Sequence, residues 1–422
     1  VAEDAGRFGV VLPRSALAAK GLSEFRAGLF TNADPVDITM LVNNRQWVFP
    51  EVHPQYTIGL AAICRRKASG KSVRLRGPFA SLSRFNAGIG NPPAEFSAHD
   101  VTGWTDTSSL PLLPTEESLA VFAQLSKAPR LDLKEPHKWR ARPHRELDAT
   151  NDKHLMDLES ESCPDGFWPV FKGESFDIWE PDTERYYAWA NPKEMLLHLQ
   201  QKRVRSGRSK RSAFFEFDQN WLKDMKTHPS HFPRISFRNI ARATDSRTFR
   251  VALLPGSVFV TNHGPYFLWP RGDERDQACL LGVLSSLPLD WYSRRFVEVN
   301  MNFHIINPFP VPRPAADDPL CHRVIELAGR LACPDDRFAD WAKTVGVECG
   351  PLAADTKLDM ICELDAVVAH LYGLKRKHLI HIFETFHVGW EPGTTARHPT
   401  LGEYDTRLAN TLDHFKAWKA KL

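Results

Sequence analysis

Apolar side chains fall into distinct regimes along the chain. Residues 8–12, Phe-Gly-Val-Val-Leu, form an unbroken apolar run, the pattern of a parallel strand covered on both faces. Leu22–Phe30 places Phe25 and Leu29 on one helical face behind Ser23, a residue type that caps helix N-termini. Val36–Val42 and Thr57–Cys64 read as two further strands, with Trp47-Val-Phe-Pro50 between them. Strand, helix, strand, loop, strand with nothing after it predicts the closing third of an open α/β sheet.

Residues 65–160 carry little periodicity. Basic, Gly, Pro and Ser residues dominate Arg65–Arg76, Gly88–Pro93 and Ser108–Pro114, and a polar stretch follows at Lys134–Asn151. This predicts a loop-rich extension leading to a linker or helix-poor cover. From 161 to 314 the pattern shifts to short aromatic and β-branched runs: Phe167–Phe171, Phe176–Trp179, Ala213–Phe217, Arg234–Phe237, Phe249–Leu254, Val258–Thr261 and Tyr266–Trp269. Such runs between turn residues predict a β-rich domain. A helix at Asp276–Leu287, an element at Asp290–Val297 and the Pro-punctuated exit Asn307–Pro314 close it. The rest is helical. Leu358, Ile361, Leu364, Val368 and Leu371 recur at helical spacing, Gly373 is a stop, and Leu379, Ile382, Phe383 and Phe386 resume the pattern. The expected regions are 1–75, 76–160, 161–314 and 315–422.

Composition narrows the class without naming a function. The 422 residues, 42% apolar and 25% charged, suffice for two or three cores. No run of 18 uncharged apolar residues occurs, which excludes a helical membrane span and predicts no membrane partner. Seven cysteines without a Cys-x-x-Cys pair or zinc-finger spacing argue against a disulfide framework and structural zinc, and a cytoplasmic location is the expectation. The chain opens on Val1 rather than Met, and on a strand that usually sits inside an α/β domain, so the expectation is a fragment that starts part-way through one.

Charge is unevenly distributed beneath a net of +3. Residues 151–200 hold 4 basic and 11 acidic side chains, net −7, whereas 200–250 hold 13 and 4, net +9. The positive block runs Lys202-Arg203-x-Arg205-x-x-Arg208-x-Lys210-Arg211, then Arg234, Arg238, Arg242, Arg247 and Arg250. One reading is a solvated loop whose arginines pair with the acidic neighbour segment. The other is a polyanion surface, in which the Gly/Ser-interleaved arm follows a phosphate backbone and Trp221, Phe232 and Phe237 supply aromatic faces.

The block Phe167-Trp-Pro-Val-Phe-Lys-Gly-Glu174, then Arg234–Thr248, Ala252-Leu-Leu-Pro255 and Leu280–Ser286, resembles the target-recognition region of adenine-specific DNA methyltransferases of the large restriction-modification and phage-defence type. Asn302–Pro312 resembles the segment closing that region, and Glu363–Gly373 is similar to the family's C-terminal helix. Gly6–Pro13 and Phe49-Pro50 match, in that family, the strand after the catalytic loop and an aromatic-Pro element that stacks on the target base. The resemblance covers roughly 1–65 and 165–390. It implies the end of a Rossmann-like methyltransferase sheet, a mixed α/β target-recognition domain and a C-terminal helical region. It also implies S-adenosylmethionine as cofactor, double-stranded DNA as partner, and possible further restriction or defence subunits. Phe49 becomes the candidate to pack against an extruded adenine, although Trp47, Val48 and Phe49 also fit a hairpin's apolar cap. Lys172, Arg203, Arg208, Lys210, Arg234, Arg238, Arg242 and Arg247 become the candidates for DNA contact.

Departures from the family pattern are substantial. No glycine-rich cofactor loop, acidic ribose ligand or Asn/Asp-Pro-Pro-Tyr/Phe loop is found in these 422 residues, so the expectation is a cofactor bound mainly by a missing upstream segment and a fragment inactive alone. Asn91-Pro92-Pro93-Ala94 lies after the strand it should precede and has Ala94 where the family needs an aromatic, which reads as a Pro turn. Gly88 and Gly90 lack a strand-then-helix setting. His378 and His381 sit at i,i+3 without a carboxylate pair, Asp273, Glu274 and Asp276 read as a solvated turn, and no nucleophile elbow occurs. Two other readings stay open: a non-catalytic DNA sequence-specificity module, and a protein-interaction domain of a defence complex.

Overall fold

The computed structural model describes residues 6–422 apart from 55, 67–69, 71–72, 136–138, 243–244, 270, 298, 388–389, 391, 394, 396 and 399. Val1 and the question of what precedes Gly6 therefore lie outside the described residues. The fold is mixed α/β, and the chain forms two compact units, Val1–Lys127 and Ala128–Leu422.

The first unit is built on a five-stranded sheet of β1 (Arg7–Pro13), β2 (Ala33–Val42), β3 (Thr57–Arg65), β4 (Val73–Phe79) and β5 (Ala94–Phe96), in the order β1-β3-β2-β4-β5. The Ser23–Asn32 helix connects β1 to β2, and both strands run antiparallel to β3, which lies between them. β2 and β4 are parallel, and β5 returns antiparallel to β4. Val36, Ile38 and Met40 of β2 are fully buried, as befits a central strand.

Three expectations for this unit need correction. β1 is an edge strand beside an antiparallel partner, not a covered parallel one, and it leaves Phe8 and Val11 45% and 54% exposed. An apolar run alone does not specify how many neighbours a strand has. The sheet continues past β3, through β4 and β5. The helix-poor cover contains helices at Leu82–Gly88, Ala98–Trp104 and Glu116–Leu125, each with a Ser or Thr N-cap whose side chain accepts a backbone N–H. Leu82–Gly88 and Ala98–Trp104 are about two turns long, too short for periodicity to reveal, and all three helices follow a Ser or Thr that favours a helix start.

The second unit carries a four-stranded sheet ordered β10-β9-β12-β6 and a three-stranded sheet ordered β11-β7-β8. Their strands are β6 (Arg142–His144), β7 (Trp168–Phe171), β8 (Ala188–Ala190), β9 (Arg234–Phe237), β10 (Val251–Leu254), β11 (Phe259–Val260) and β12 (Tyr266–Leu268). Val170, Ala188, Met195, Leu199 and Phe259 form one apolar cluster, where the smaller sheet meets the Pro192–Ser206 helix. Two predicted strands fail: Phe176–Trp179 forms no ladder and Ala213–Glu216 is a short 3-10 helix, in which Phe176, Trp179 and Phe214 turn into the core while Phe215 is left 43% exposed. Asp290–Val297 resolves as the Leu287–Arg294 helix.

The helices Glu274–Ser285, Pro319–Ala332, Ala354–Leu371 and Tyr404–Lys419 pack in succession against one another. The Pro-rich exit lies within the Ala128–Leu422 unit. Leu131 N–H donates to Phe309 O at 2.8 Å, Val311 N–H to Pro129 O at 2.8 Å, and the Tyr372 hydroxyl to Pro310 O at 2.6 Å. The prolines there mark an extended segment with few donors of its own, held inside the unit.

Candidate nucleic-acid interface

Phe49 stands on the loop that leaves the C-terminal end of β2, and it is 39% exposed. The loop is held from beneath by Asn43, which is fully buried. Its Nδ2 donates to Phe49 O at 2.9 Å and Val52 O at 2.8 Å, while its Oδ1 accepts from Val48 N–H at 3.1 Å and Phe49 N–H at 3.0 Å. Arg45 and Gln46 take left-handed backbone angles, φ 55° and 59°, in the turn that Asn43 opens. Trp47 donates its indole N–H to Val42 O at 2.8 Å and lies 6.4 Å from the Phe85 ring. Trp47 and Val48 are partly covered, so the apolar-cap reading suits them, whereas Phe49 faces solvent beside exposed His53 and Tyr56. Sequence reasoning missed Asn43, whose only signal was an amide residue ending an apolar strand.

In the second unit the Pro192–Ser206 helix positions the basic arm. Asn191 caps it by accepting Lys193 N–H, Pro192 occupies its first turn, and Arg203 and Arg205 lie in the last turn, where cations complement the helix dipole. It ends at Gly207, where a Cβ would stand 2.4 Å from Leu222 Cδ1. Beyond that point Arg208, Lys210 and Arg211 are exposed, as is Arg205 on the helix. None of these four side chains has an ion-pair partner among the described residues.

Arg203 differs. It is 1% exposed, donates to the carbonyls of Leu222, Asp224 and Thr227 at 3.0, 2.6 and 3.1 Å, and lies 4.9 Å over the Trp221 ring. Burial pulls its pKa down to about 10. Arg203 is thus a strut for the turn after residue 219, its guanidinium spent on backbone carbonyls rather than left to solvent. Helical spacing carried the signal, since Leu196, Leu199, Gln200 and Arg203 share the buried face.

Arg234 and Arg247 are likewise turned inward. Arg234, 4% exposed, donates to Val258 O at 2.9 Å and pairs with Glu146 at 3.4 Å. Glu146 also accepts from Val260 N–H at 2.8 Å and the Ser230 hydroxyl at 3.2 Å, and its burial raises its pKa despite these partners. Arg247, 2% exposed, is paired at 2.5 Å with Asp290, which also accepts the N–H groups of Thr248 and Phe249 at 3.0 and 2.9 Å.

Lys172, Arg238 and Arg242 come together around a cavity of about 560 Å³, joined by Arg250 and by the carboxylates of Glu174 and Asp245. Lys172 pairs with Glu174 at 3.1 Å and lowers that carboxyl's pKa. Arg238 donates to Phe176 O at 2.8 Å and shares Asp177 with Arg250, at 3.2 and 3.0 Å. Arg242 keeps an exposed side chain, and its backbone N–H is fixed by Asp245 at 3.0 Å. The −7 and +9 segments therefore partly neutralise each other, through Asp177 and through Asp152, which Lys202 meets at 2.9 Å. The paired reading thus describes Lys202, Arg238 and Arg250, while Arg205, Arg208, Lys210 and Arg211 keep exposed side chains.

The chain's glycines do not furnish a nucleotide cradle where sequence offered one. At Gly88 a Cβ would meet Phe79 Cε1 at 2.5 Å, so that glycine serves packing against Phe79, and no backbone or side chain stands within 4 Å of a Cβ at Gly90. The residues near this Gly-x-Gly do not fit S-adenosylmethionine. No group of three or more His, Cys, Asp or Glu side chains able to hold a metal ion occurs among the described residues. No described helix is long and apolar enough to cross a membrane.

No protein-family model and no curated protein matches the chain. Among solved structures it is similar to the Type IIL restriction-modification enzyme MmeI in complex with DNA, at 11% identity and a TM-score of 0.42 over 98% of this chain and 50% of that one. It is also similar to the type IIG restriction endonuclease BpuSI, at 14% identity and a TM-score of 0.33 over 88% and 47%. The chain spans about half the length of each of these enzymes.

Proposed function

We propose that this chain is the DNA-recognising part of a site-specific, S-adenosylmethionine-dependent DNA adenine-N6 methyltransferase of a restriction-modification or phage-defence system. The carrying observation is the run Arg205, Arg208, Lys210 and Arg211, four exposed cations without carboxylate partners among the described residues, beside a helix end and on a unit whose other arginines are largely consumed internally. Leaving these cations unpaired while neighbouring ones are neutralised suits an external polyanion. In this reading the second unit contacts duplex DNA through the arm and through the cavity bordered by Lys172, Arg238 and Arg242. Phe49 offers its ring to an adenine turned out of the stack, held in place by Asn43. In this reading the described residues bind DNA and hold the base. The sheet and the Phe49 platform favour this over a specificity module without catalysis.

The test is binding of a labelled duplex by fluorescence polarisation across a salt series. Arg205→Gln, Arg208→Gln and Lys210→Gln combined should weaken binding to every duplex tested. It should also reduce the slope of log K against log[salt] by about 2 to 3. A slope equal to that of the unaltered chain would refute the arm's role.

A further inference from the structure

A second cavity in the Ala128–Leu422 unit, of about 490 Å³, has the opposite chemistry. Its walls include Phe217, Trp221, Phe232, Trp269 and Trp341, and its acidic lining residues are Glu274 and Asp340. Trp221 stacks on Phe217 with centroids 4.3 Å apart and planes at 26°, and Trp341 is anchored by its indole N–H donating to Gln277 Oε1 at 3.2 Å. Phe232 is 52% exposed. Glu274 is partly exposed and Asp340 exposed, and neither carboxylate has a hydrogen-bond or ion-pair partner among the described residues. Among the described residues, the one cationic residue lining the cavity is Arg234, which is buried and committed to Glu146 and Val258 O.

Aromatic faces attract cations through the ring quadrupole, and unpaired carboxylates at the same opening add Coulomb attraction. The same ring cluster already receives two of the protein's own guanidinium groups, Arg203 over Trp221 at 4.9 Å and Arg234 over Tyr266 at 5.0 Å. Phosphate would be repelled here, so the cavity is not an extension of the basic surface. Its volume falls within the range of small-molecule pockets. We propose that this cavity binds an organic cation, an alkylammonium group, between its aromatic walls and the carboxylates of Glu274 and Asp340. The proposal does not depend on the DNA-binding reading.

The complete chain is titrated with choline while its tryptophan fluorescence is followed, and in parallel with 3,3-dimethylbutanol, the uncharged isostere of the same shape. Saturable binding of choline, about tenfold tighter than that of the isostere, is the expected result. Glu274→Gln with Asp340→Asn should weaken choline binding about tenfold and leave the isostere unchanged, and exposed isosteric changes of this kind preserve the fold. Equal affinity for choline and the isostere, or no saturable binding of choline, would overturn the proposal. The same headgroup can arrive free or on a protein, so a trimethyllysine tripeptide is titrated alongside. Tighter binding of the peptide assigns the cation to a protein partner, and tighter binding of choline to a small molecule.

Discussion

The side chain of Asn43 satisfies four backbone groups at once, two N–H and two C=O, from a position with no solvent access. An amide is well suited to this task among side chains of its size, because it donates and accepts from adjacent atoms. Asn43→Ala would leave those groups unpaired in a buried site, and the expected loss is about 2 to 4 kcal/mol. Phe49→Ala removes a ring already 39% exposed and should change stability by less than about 1 kcal/mol. Urea denaturation of the two variants measures both effects. Similar midpoints for the two would mean that Asn43 does not hold the loop. The same contrast of buried and exposed separates Arg203 from Arg205, two positions apart on one helix: the first faces the core and the second faces solvent.

At the scale of elements, Asp365 locks three helices together. It sits on the apolar face of the Ala354–Leu371 helix, accepts Leu287 N–H at the start of the Leu287–Arg294 helix at 2.8 Å, and pairs at 2.6 Å with Arg407 of the Tyr404–Lys419 helix. Both ions are 1% exposed, so Asp365→Ala would strand a guanidinium in the core and cost about 3 to 5 kcal/mol. Hydrogen exchange should show protection lost first in Tyr404–Lys419, and unchanged protection there would show that Arg407 finds another partner. The long C-terminal helices were legible because their apolar spacing extends over several turns, and β2, β3, β7, β9 and β10 because they are runs of apolar and β-branched residues. The elements that escaped, such as Leu82–Gly88 and the 3-10 turn at Ala213–Glu216, last two turns or fewer, and tertiary packing decides their form. Within the candidate site, charge clustering made the arm legible. Which arginines turn inward was legible only with the helical face of Leu196 and Leu199 in hand.

Across the whole molecule, burial of histidines sets how stability follows pH. Burial, with Lys202 nearby, holds the His144 imidazole down to about 3, and burial, with Arg203 and Arg234 nearby, holds His228 down to about 2. Burial likewise lowers His231, His370, His378 and His398. In the unfolded chain each would take up its proton near pH 6.5. The folded state binds fewer protons than the unfolded one below that pH, so the stability from neutral burial is complete above about 6.5 and is lost as pH falls. His144 and His228 together should cost about 2.7 kcal/mol per pH unit from about 6 to 4.5. Glu146, raised by burial, opposes this in part, because its folded form takes up a proton earlier than the unfolded one. Against a total stability of about 5 to 15 kcal/mol the histidines dominate this window. Urea midpoints at pH 7, 6 and 5 should fall steeply, and His228→Asn should flatten the dependence by about one proton. A slope unchanged by that substitution would mean that His228 takes up its proton in the folded chain as readily as in the unfolded one, beside the Ser230 hydroxyl it meets at 2.7 Å.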